Sequence, residues 1–424
     1  MIVHRAYTLL WWLALPWLPL RLWLRGRREP GYRNAIAERF GRYDKPFRAT
    51  DVVWIHAVSL GETRAAVPLV ERIARERAAT TILLTHMTAS GRESGRTLFG
   101  ERVVQAWLPY DVPFAVERFL AHFRPRVGLL METELWPNIV HAAARRGVPL
   151  FLVNARLSER SARGYARVAP LATPLLRALA GVAAQTSDDR ARFEALGAHD
   201  VAVTGNVKFD VAMPDAMRER AHALRAWYRE RPVIVLASTR DGEEKLLVDA
   251  LVRAPLPART LVVIVPRHPQ RFADVAALLE ARGIEFARRS DMRPMTDDVR
   301  VVLGDSMGEM FAYYAAADVA FVGGSLLPLG GQNLIEPIAA GVPTLIGPHT
   351  FNFAQPSEAA VAAGAAVRVR DADEVLSVAG RLLRDADERA RMRLRASKFI
   401  AAHQGAVDRL WAWLLPQISR AGAD

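Results

Sequence analysis

The sequence predicts an α/β protein made of two parallel-sheet domains in tandem. Three observations carry that reading. The chain has 424 residues, too many for one ordinary core and enough for two domains of roughly 200 residues each. From Asp51 onward, short apolar runs rich in β-branched residues alternate with segments of helical periodicity, the pattern of strands joined by crossover helices. That alternation halts once, across the charged stretch MPDAMRERAHALRAWYRERP (Met213 to Pro232), and then restarts.

The N-terminus stands apart. IVHRAYTLLWWLALPWLPLRLWL, Ile2 to Leu24, is apolar and tryptophan-rich, and the basic run RGRREPGYR follows it. A secretory signal would put its charges first and end at a small-residue cleavage site; this segment does neither. Its length is near the ~20 residues of a spanning helix, while Pro16 and Pro19 equally permit a kinked anchor lying in the membrane interface. Either way Arg21, Arg25, Arg27 and Arg28 lie on its C-terminal side, which places the body in the cytoplasm. Residues 1–25 are read as this anchor, with a docking helix for a partner as the alternative.

The first domain, residues 26–212, offers seven strands: DVVWIHAV, TTILLTHMT, RVVQAWLPY, RVGLLMETELW, VPLFLVNAR, GVAAQTS and DVAVTGN. Amphipathic segments such as PFAVERFLAHF lie between them. Met213 to Pro232 reads as a linker and lead-in to the second domain, residues 213–424. There PVIVLAST, RTLVVIVPRH, VRVVLGD, DVAFVGGS and VPTLIG supply five more strands. The last helix, ending DRLWAWLLPQIS, is apolar enough to pack on a neighbour, the first domain among the options. Two such domains in tandem leave a cleft suited to two substrates.

Composition narrows the function classes. A 51% apolar and 24% charged chain is a folded one. It has no cysteine, which excludes disulfides, zinc–thiolate sites and cysteine nucleophiles and fits a reducing compartment. Lys and Arg number 57 against 45 acids, a net charge of +12, which favours a polyanionic partner. The arginines are spread along helices, with no zinc-finger or RNA-binding signature, so anionic lipid or a phosphorylated substrate is favoured over nucleic acid.

The residues able to do chemistry sit at strand ends, where open α/β sheets bind ligands. HAVSLGET puts Glu62 where the first strand hands over to a helix; by position alone an acid there simply complements the helix dipole. METELWPN puts Glu132 and Glu134 after the fourth strand, on one face if the chain is extended and not if it turns. TGNVKFD puts Lys208 after the seventh. In the second domain VPRHP supplies Arg267 and His268, and arginine suits a phosphate or carboxylate. VLGDSMGEM and FVGGSLLPLGGQNLIEP place Gly304, Gly308, Gly323, Gly324, Gly330 and Gly331 in turns whose backbone N–H groups can face a phosphate. Glu336, early in a helix, can hold ribose hydroxyls. Neither run is a dinucleotide fingerprint or a P-loop, but together they favour a nucleotide site.

Taken in order, HAVSLGET, LPYD, METELWPN, NARLS, TGNVKFD, VPRHP, GDSMGEM, AFVGGS, GGQNLIEP and GPHTFNF resemble the 3-deoxy-D-manno-octulosonic acid (Kdo) transferases of lipopolysaccharide biosynthesis, over essentially the whole chain. The resemblance implies a GT-B fold: two Rossmann-like domains facing a central cleft, the first for the acceptor and the second for CMP-Kdo. It implies inverting transfer of Kdo to the glucosamine disaccharide of a tetraacyl lipid A precursor, at the anionic inner-membrane surface. Matched motif by motif, Glu62 is the family's general base, and Glu132 and Lys208 support the transition state. Pro266, Arg267, Met307, Gly308, Glu309, Asn333, Leu334, Ile335 and Glu336 match the segments that hold the CMP of the donor. No metal, no cofactor beyond the donor and no nucleic-acid partner is expected. GGQNLIEP departs from the GGHNPLEA also found in the family. Two alternatives stand beside this reading: another membrane-associated GT-B transferase using a UDP-sugar, and a non-catalytic scaffold, which would have no need of the acid at Glu62.

Overall fold

The computed structural model describes residues 2–211 and 213–420; the expected domain boundary at 212, like Met1 and residues 421–424, lies outside them. The chain forms two units. One holds residues up to Asp210 together with those from Gln404 onward, and the other is Val211–His403.

The first unit is built on a seven-stranded, all-parallel sheet in the order β3-β2-β1-β4-β5-β6-β7. Its strands are β1 Val52–His56, β2 Thr81–His86, β3 Val104–Trp107, β4 Val127–Met131, β5 Leu150–Ala155, β6 Gly181–Ala184 and β7 Val201–Val203. All seven match the expected runs. β1 and β4 are buried along their whole length, because crossover helices cover both faces of a parallel sheet. Trp54, Leu83 and Phe119 fill one face, and Ile55, Leu69, Ile73 and Phe151 the other. The strand order reverses between β1 and β4, so the loops leaving these two neighbours part company and open a crevice at their carboxyl ends.

The C-terminal helix, Ala406–Arg420, belongs to this unit, so the second unit ends at His403 rather than at 424. Trp411, Leu414 and Ile418 join the Ile55 face of the sheet core, and Asp210 accepts from the N–H groups of Gly405 and Val407 at 2.6 and 2.5 Å. The N-terminal segment is two short helices, Ile2–Ala14 and Leu18–Arg28, broken by a 3₁₀ turn at Leu15–Trp17. Pro16 and Pro19 each remove a backbone donor there. No helix among the described residues is long and apolar enough to cross a membrane. One side of the segment packs on the unit through Leu18 and Leu22, against Tyr32, Tyr110 and Val112. The other exposes Leu9, Leu10, Leu13, Trp12, Trp17 and Trp23.

The second unit has a parallel sheet ordered β10-β11-β9-β8-β12-β13-β14. Its strands are β8 Val233–Thr239, β9 Leu261–Pro266, β10 Phe286–Arg288, β11 Val301–Leu303, β12 Val319–Val322, β13 Thr344–Ile346 and β14 Ala366–Arg368. β10 and β14 were not expected. Each has three residues, lies at an edge and carries an arginine, so neither shows an apolar run. The expected linker is also corrected: Asp215–Trp227 is a helix of this unit. Ala221, Leu224 and Tyr228, at positions i, i+3 and i+7, bury one stripe against Tyr313 and Tyr314 beneath an otherwise charged surface.

Candidate active site

Glu62 is held by its own turn. Ser59 caps the helix Leu60–Ala65; its hydroxyl accepts from the Glu62 N–H at 3.4 Å and donates to Glu62 Oε1 at 2.9 Å. The Val58 N–H donates to Glu62 Oε2 at 2.8 Å. This is a variant of the capping box: Ser59 at the cap accepts from the N–H of Glu62 three residues later, while the glutamate reaches back to the Val58 N–H, one residue before the cap. It accounts for the sequence SLGE as local structure. It does not account for the charge: burial, then the nearby Glu132, push the Glu62 carboxyl up to about 7 from an ordinary 4.5. Behind the turn, Thr88 Oγ1 donates to the Val58 carbonyl at 3.0 Å. Gly91 lets the helix Ala89–Phe99 close on it, since a Cβ there would stand 3.1 Å from the Val58 oxygen. Sequence reasoning singled out neither Thr88 nor Gly91.

Glu132 leaves β4 with φ +60, a left-handed conformation that is strained for a residue with a Cβ. Its N–H still donates to Val153 in the sheet, at 2.9 Å. The bend turns its carboxylate toward Lys208, whose Nζ donates to Oε1 at 2.6 Å. Lys208 rides on the single turn Val207–Phe209 after β7, capped by Asn206 and tied to Asn154 of β5, whose Oδ1 accepts from the Val207 N–H at 3.1 Å. The same bend separates the two glutamates of METEL. Glu134 joins Tyr7, Trp136, Tyr165 and Leu175 around a mainly apolar cavity of about 300 Å³, and burial raises its carboxyl. The structure thus gathers Glu62, Glu132 and Lys208 at the ends of β1, β4 and β7.

LPYD and the Asn of METELWPN have a structural role missed in the sequence. Asp111, fully buried, accepts from the N–H groups of Asn138 and Ile139, each at 2.9 Å, and so caps the helix Pro137–Arg145. It also accepts from Tyr7 Oη at 2.9 Å, while Asn138 Oδ1 accepts from Thr8 Oγ1 and lies 2.9 Å from His4 Nε2. The N-terminal helix is therefore docked on the loops beside the glutamates.

In the second unit the named residues line the carboxyl edge of four adjacent strands, β11, β9, β8 and β12. Pro266 ends β9, and Arg267 bonds back through its N–H to Thr239 O at 2.9 Å and through Nε to Gln332 Oε1 at 3.2 Å. Met307 is exposed and Gly308 has φ +79. Glu309 is buried beneath them in an ion-pair cluster, with Arg289 at 3.0 Å and Arg220 at 3.4 Å. Asn333 donates to Glu336 Oε1 at 3.0 Å and accepts from the Ile335 N–H. Leu334 and Ile335 point into the core, so only their backbone faces outward chemistry.

The expectation that the Gly323-Gly324 turn offers its amides to a phosphate is corrected. The N–H groups of Gly324, Ser325 and Leu326 all donate to Glu243, at 2.6, 2.9 and 2.9 Å, and the Arg240 N–H does so at 2.9 Å. Glu243 has no exposed surface. In TRDGEEK it looks like an ordinary helix-start acid; its partners in the Gly324 turn lie some eighty positions away, beyond reach of any local pattern.

Comparison with known proteins decides the family. A family profile described as 3-deoxy-D-manno-octulosonic-acid transferase matches residues 34–211. The 3-deoxy-D-manno-octulosonic acid transferase of Bordetella pertussis is 48% identical, across 96% of this chain and 99% of its own. The chain belongs to the Kdo transferase family. The Kdo transferase of Haemophilus influenzae is 34% identical, over 98% of each chain. Among solved structures, the UDP-GlcNAc 2-epimerase of Neisseria meningitidis superposes with a TM-score of 0.59 at 15% identity, over 87% of this chain and all of that one. Such a likeness speaks for the fold alone, and that fold is GT-B, the two parallel-sheet units that the Kdo transferase motifs implied. The family is one of glycosyltransferases.

Proposed function

We propose that this protein is an inverting glycosyltransferase that moves Kdo from CMP-Kdo to the glucosamine disaccharide of a tetraacyl lipid A precursor, at the cytoplasmic face of the inner membrane. The observation that carries the reading is Glu62, a carboxyl in a preformed turn with its pKa raised to about 7. A base is most effective when its pKa lies near the working pH. Glu62 takes the proton of an acceptor hydroxyl as that oxygen bonds to the anomeric carbon of Kdo. The bond to CMP breaks on the opposite face and its electron pair leaves with the phosphate. Lys208, oriented by Glu132, adds a cation beside the reacting group. Pro266, Arg267, Met307, Gly308, Glu309 and the run Asn333 to Glu336 form the CMP side, the buried members acting through backbone or by holding their neighbours.

The N-terminal segment supports a membrane role of a particular kind. Exposed leucines and tryptophans share it with Arg5, Arg21, Arg25 and Arg27, and Arg27 stacks 4.0 Å over the Trp23 ring. Apolar side chains with flanking arginines and interfacial tryptophans describe a helix pair lying in the headgroup region. The acceptor's lipid then meets the protein beside Glu62. The deciding experiment is mass spectrometry of the lipid after incubation with a CMP-Kdo-generating system and tetraacylated lipid A precursor. One or more Kdo increments, absent with Glu62→Gln, support the reading. A folded protein that binds CMP and gives no increment overturns the acceptor, and protection by UDP in place of CMP favours a UDP-sugar donor.

A further inference from the structure

With the amides of the Gly324 turn committed to Glu243, an anionic ligand at this edge of the sheet must be met by side-chain cations. Three stand together where β8 and β9 end. Thr239 of β8 pairs in register with Pro266 of β9, so Arg240 and Arg267 step out of neighbouring strands at the same level. Gly324 and Gln332 lie between them. A Cβ on Gly324 would be 3.5 Å from Arg240 Cγ and 3.1 Å from Gln332 Nε2, and Gln332 Oε1 takes the Arg267 Nε–H at 3.2 Å. His268 follows, its imidazole pushed below its ordinary value by burial and by Arg267 and Arg240.

Acids that would ordinarily neutralise Arg240 are engaged elsewhere. Asp241 and Glu244 lie 3.0 and 3.4 Å from Arg271 Nη2, and Glu243 is spent on backbone N–H groups. Among the described residues, the Arg240 guanidinium makes no hydrogen bond or ion pair, although it is half-buried. A half-buried guanidinium with no partner of its own favours an incoming anion. The backbone is bent beside it: Ser238 has φ +53 at the register shift in β8, and strain of this sort persists where the surrounding fold enforces it, commonly at functional sites.

We propose that Arg240 is a second arginine of the donor site, which together with Arg267 grips an oxyanion of the nucleotide sugar, either its phosphate or the sugar's carboxylate. The proposal rests on the donor assignment made above. Guanidinium is suited to either group, since both present two oxygens to its planar fork.

The test uses the full chain in detergent, with Arg240→Gln and Arg240→Lys, and compares calorimetric binding of CMP and cytidine with the KM for CMP-Kdo. If the phosphate is the partner, Arg240→Gln lowers CMP affinity about tenfold or more while cytidine binding is unchanged. If the carboxylate is the partner, CMP affinity holds and the KM for CMP-Kdo rises by a similar factor. In both cases Arg240→Lys retains part of the loss-sensitive function, which a purely structural role would not show. A folded Arg240→Gln protein whose CMP affinity and donor KM both stay within twofold of the parent overturns the proposal. Should the parent bind UDP in place of CMP, the donor assignment falls, and the same comparison with UDP and uridine still decides for or against Arg240.

Discussion

Replacing Glu62 by glutamine should separate activity from stability, and the pH dependence gives the separation a sign. Burial and the neighbouring Glu132 hold the Glu62 carboxyl at about 7 against an ordinary 4.5. At about 1.36 kcal/mol per pH unit, ionising it in the fold costs about 3 kcal/mol. Below pH 4.5 the group is protonated in folded and unfolded chains alike, and there is no penalty. Between 4.5 and about 7 the unfolded chain releases the proton and the fold retains it, so stability falls as pH rises; above about 7 the penalty is constant. Glu62→Gln does not titrate, yet its amide can still accept one of the turn's hydrogen bonds. Apart from the carboxylate of Glu132, which is coupled to Glu62, the other groups titrate alike in both proteins, so the difference in unfolding temperature reports Glu62 and that coupling. Differential scanning calorimetry should show little difference in acid and a variant more stable by up to about 6 °C at pH 8, taking about 2 °C per kcal/mol for a unit of this size. Transfer by the variant should fall by a factor of about 10² or more, and the parent's activity should show an acid limb near pH 7. A temperature difference that is flat from pH 5 to pH 8 would refute the raised carboxyl and with it the assignment of the base.

Further outcomes are expected elsewhere in the molecule. Lys208→Met strips Glu132 of its 2.6 Å partner; the uncompensated charge should move the acid limb of the pH–rate profile upward, and Lys208→Arg should restore part of it. Asp111→Ala leaves the Asn138 and Ile139 N–H groups and Tyr7 without an acceptor. It should cost about 2–4 kcal/mol in denaturant unfolding and quicken proteolysis of the Ile2–Ala14 helix. Glu243→Ala orphans the N–H groups that it accepts from in the Gly324 turn, so the second unit should lose roughly 3 kcal/mol or more, with CMP binding lost in calorimetry. Replacing Trp12, Trp17 and Trp23 together by serine should release the protein from anionic vesicles in a flotation assay while thermal unfolding stays nearly unchanged, because all three are exposed.

Much of this molecule is legible residue by residue. β1 and β4 are continuous apolar runs because a parallel sheet is covered on both faces, and the SLGE turn is a capping-box variant whose partners lie within four positions of one another. Family motifs spaced along the chain carried the candidate site residues as well. Elements without such a local signature stayed hidden: β10 and β14 are three-residue edges bearing arginines, and the helix Asp215–Trp227 buries a thin stripe under charge. What only the tertiary structure decided is how the polar groups pair. Glu132 meets Lys208 across 76 positions, Glu243 claims the Gly324 turn across 81, and Asp210 draws the C-terminal helix to the first unit across 195. Apolar periodicity is a property of neighbouring residues and survives in the sequence. The partner of a buried charge is chosen by which strand ends the sheet brings together, and that choice exists only once the strands are in order.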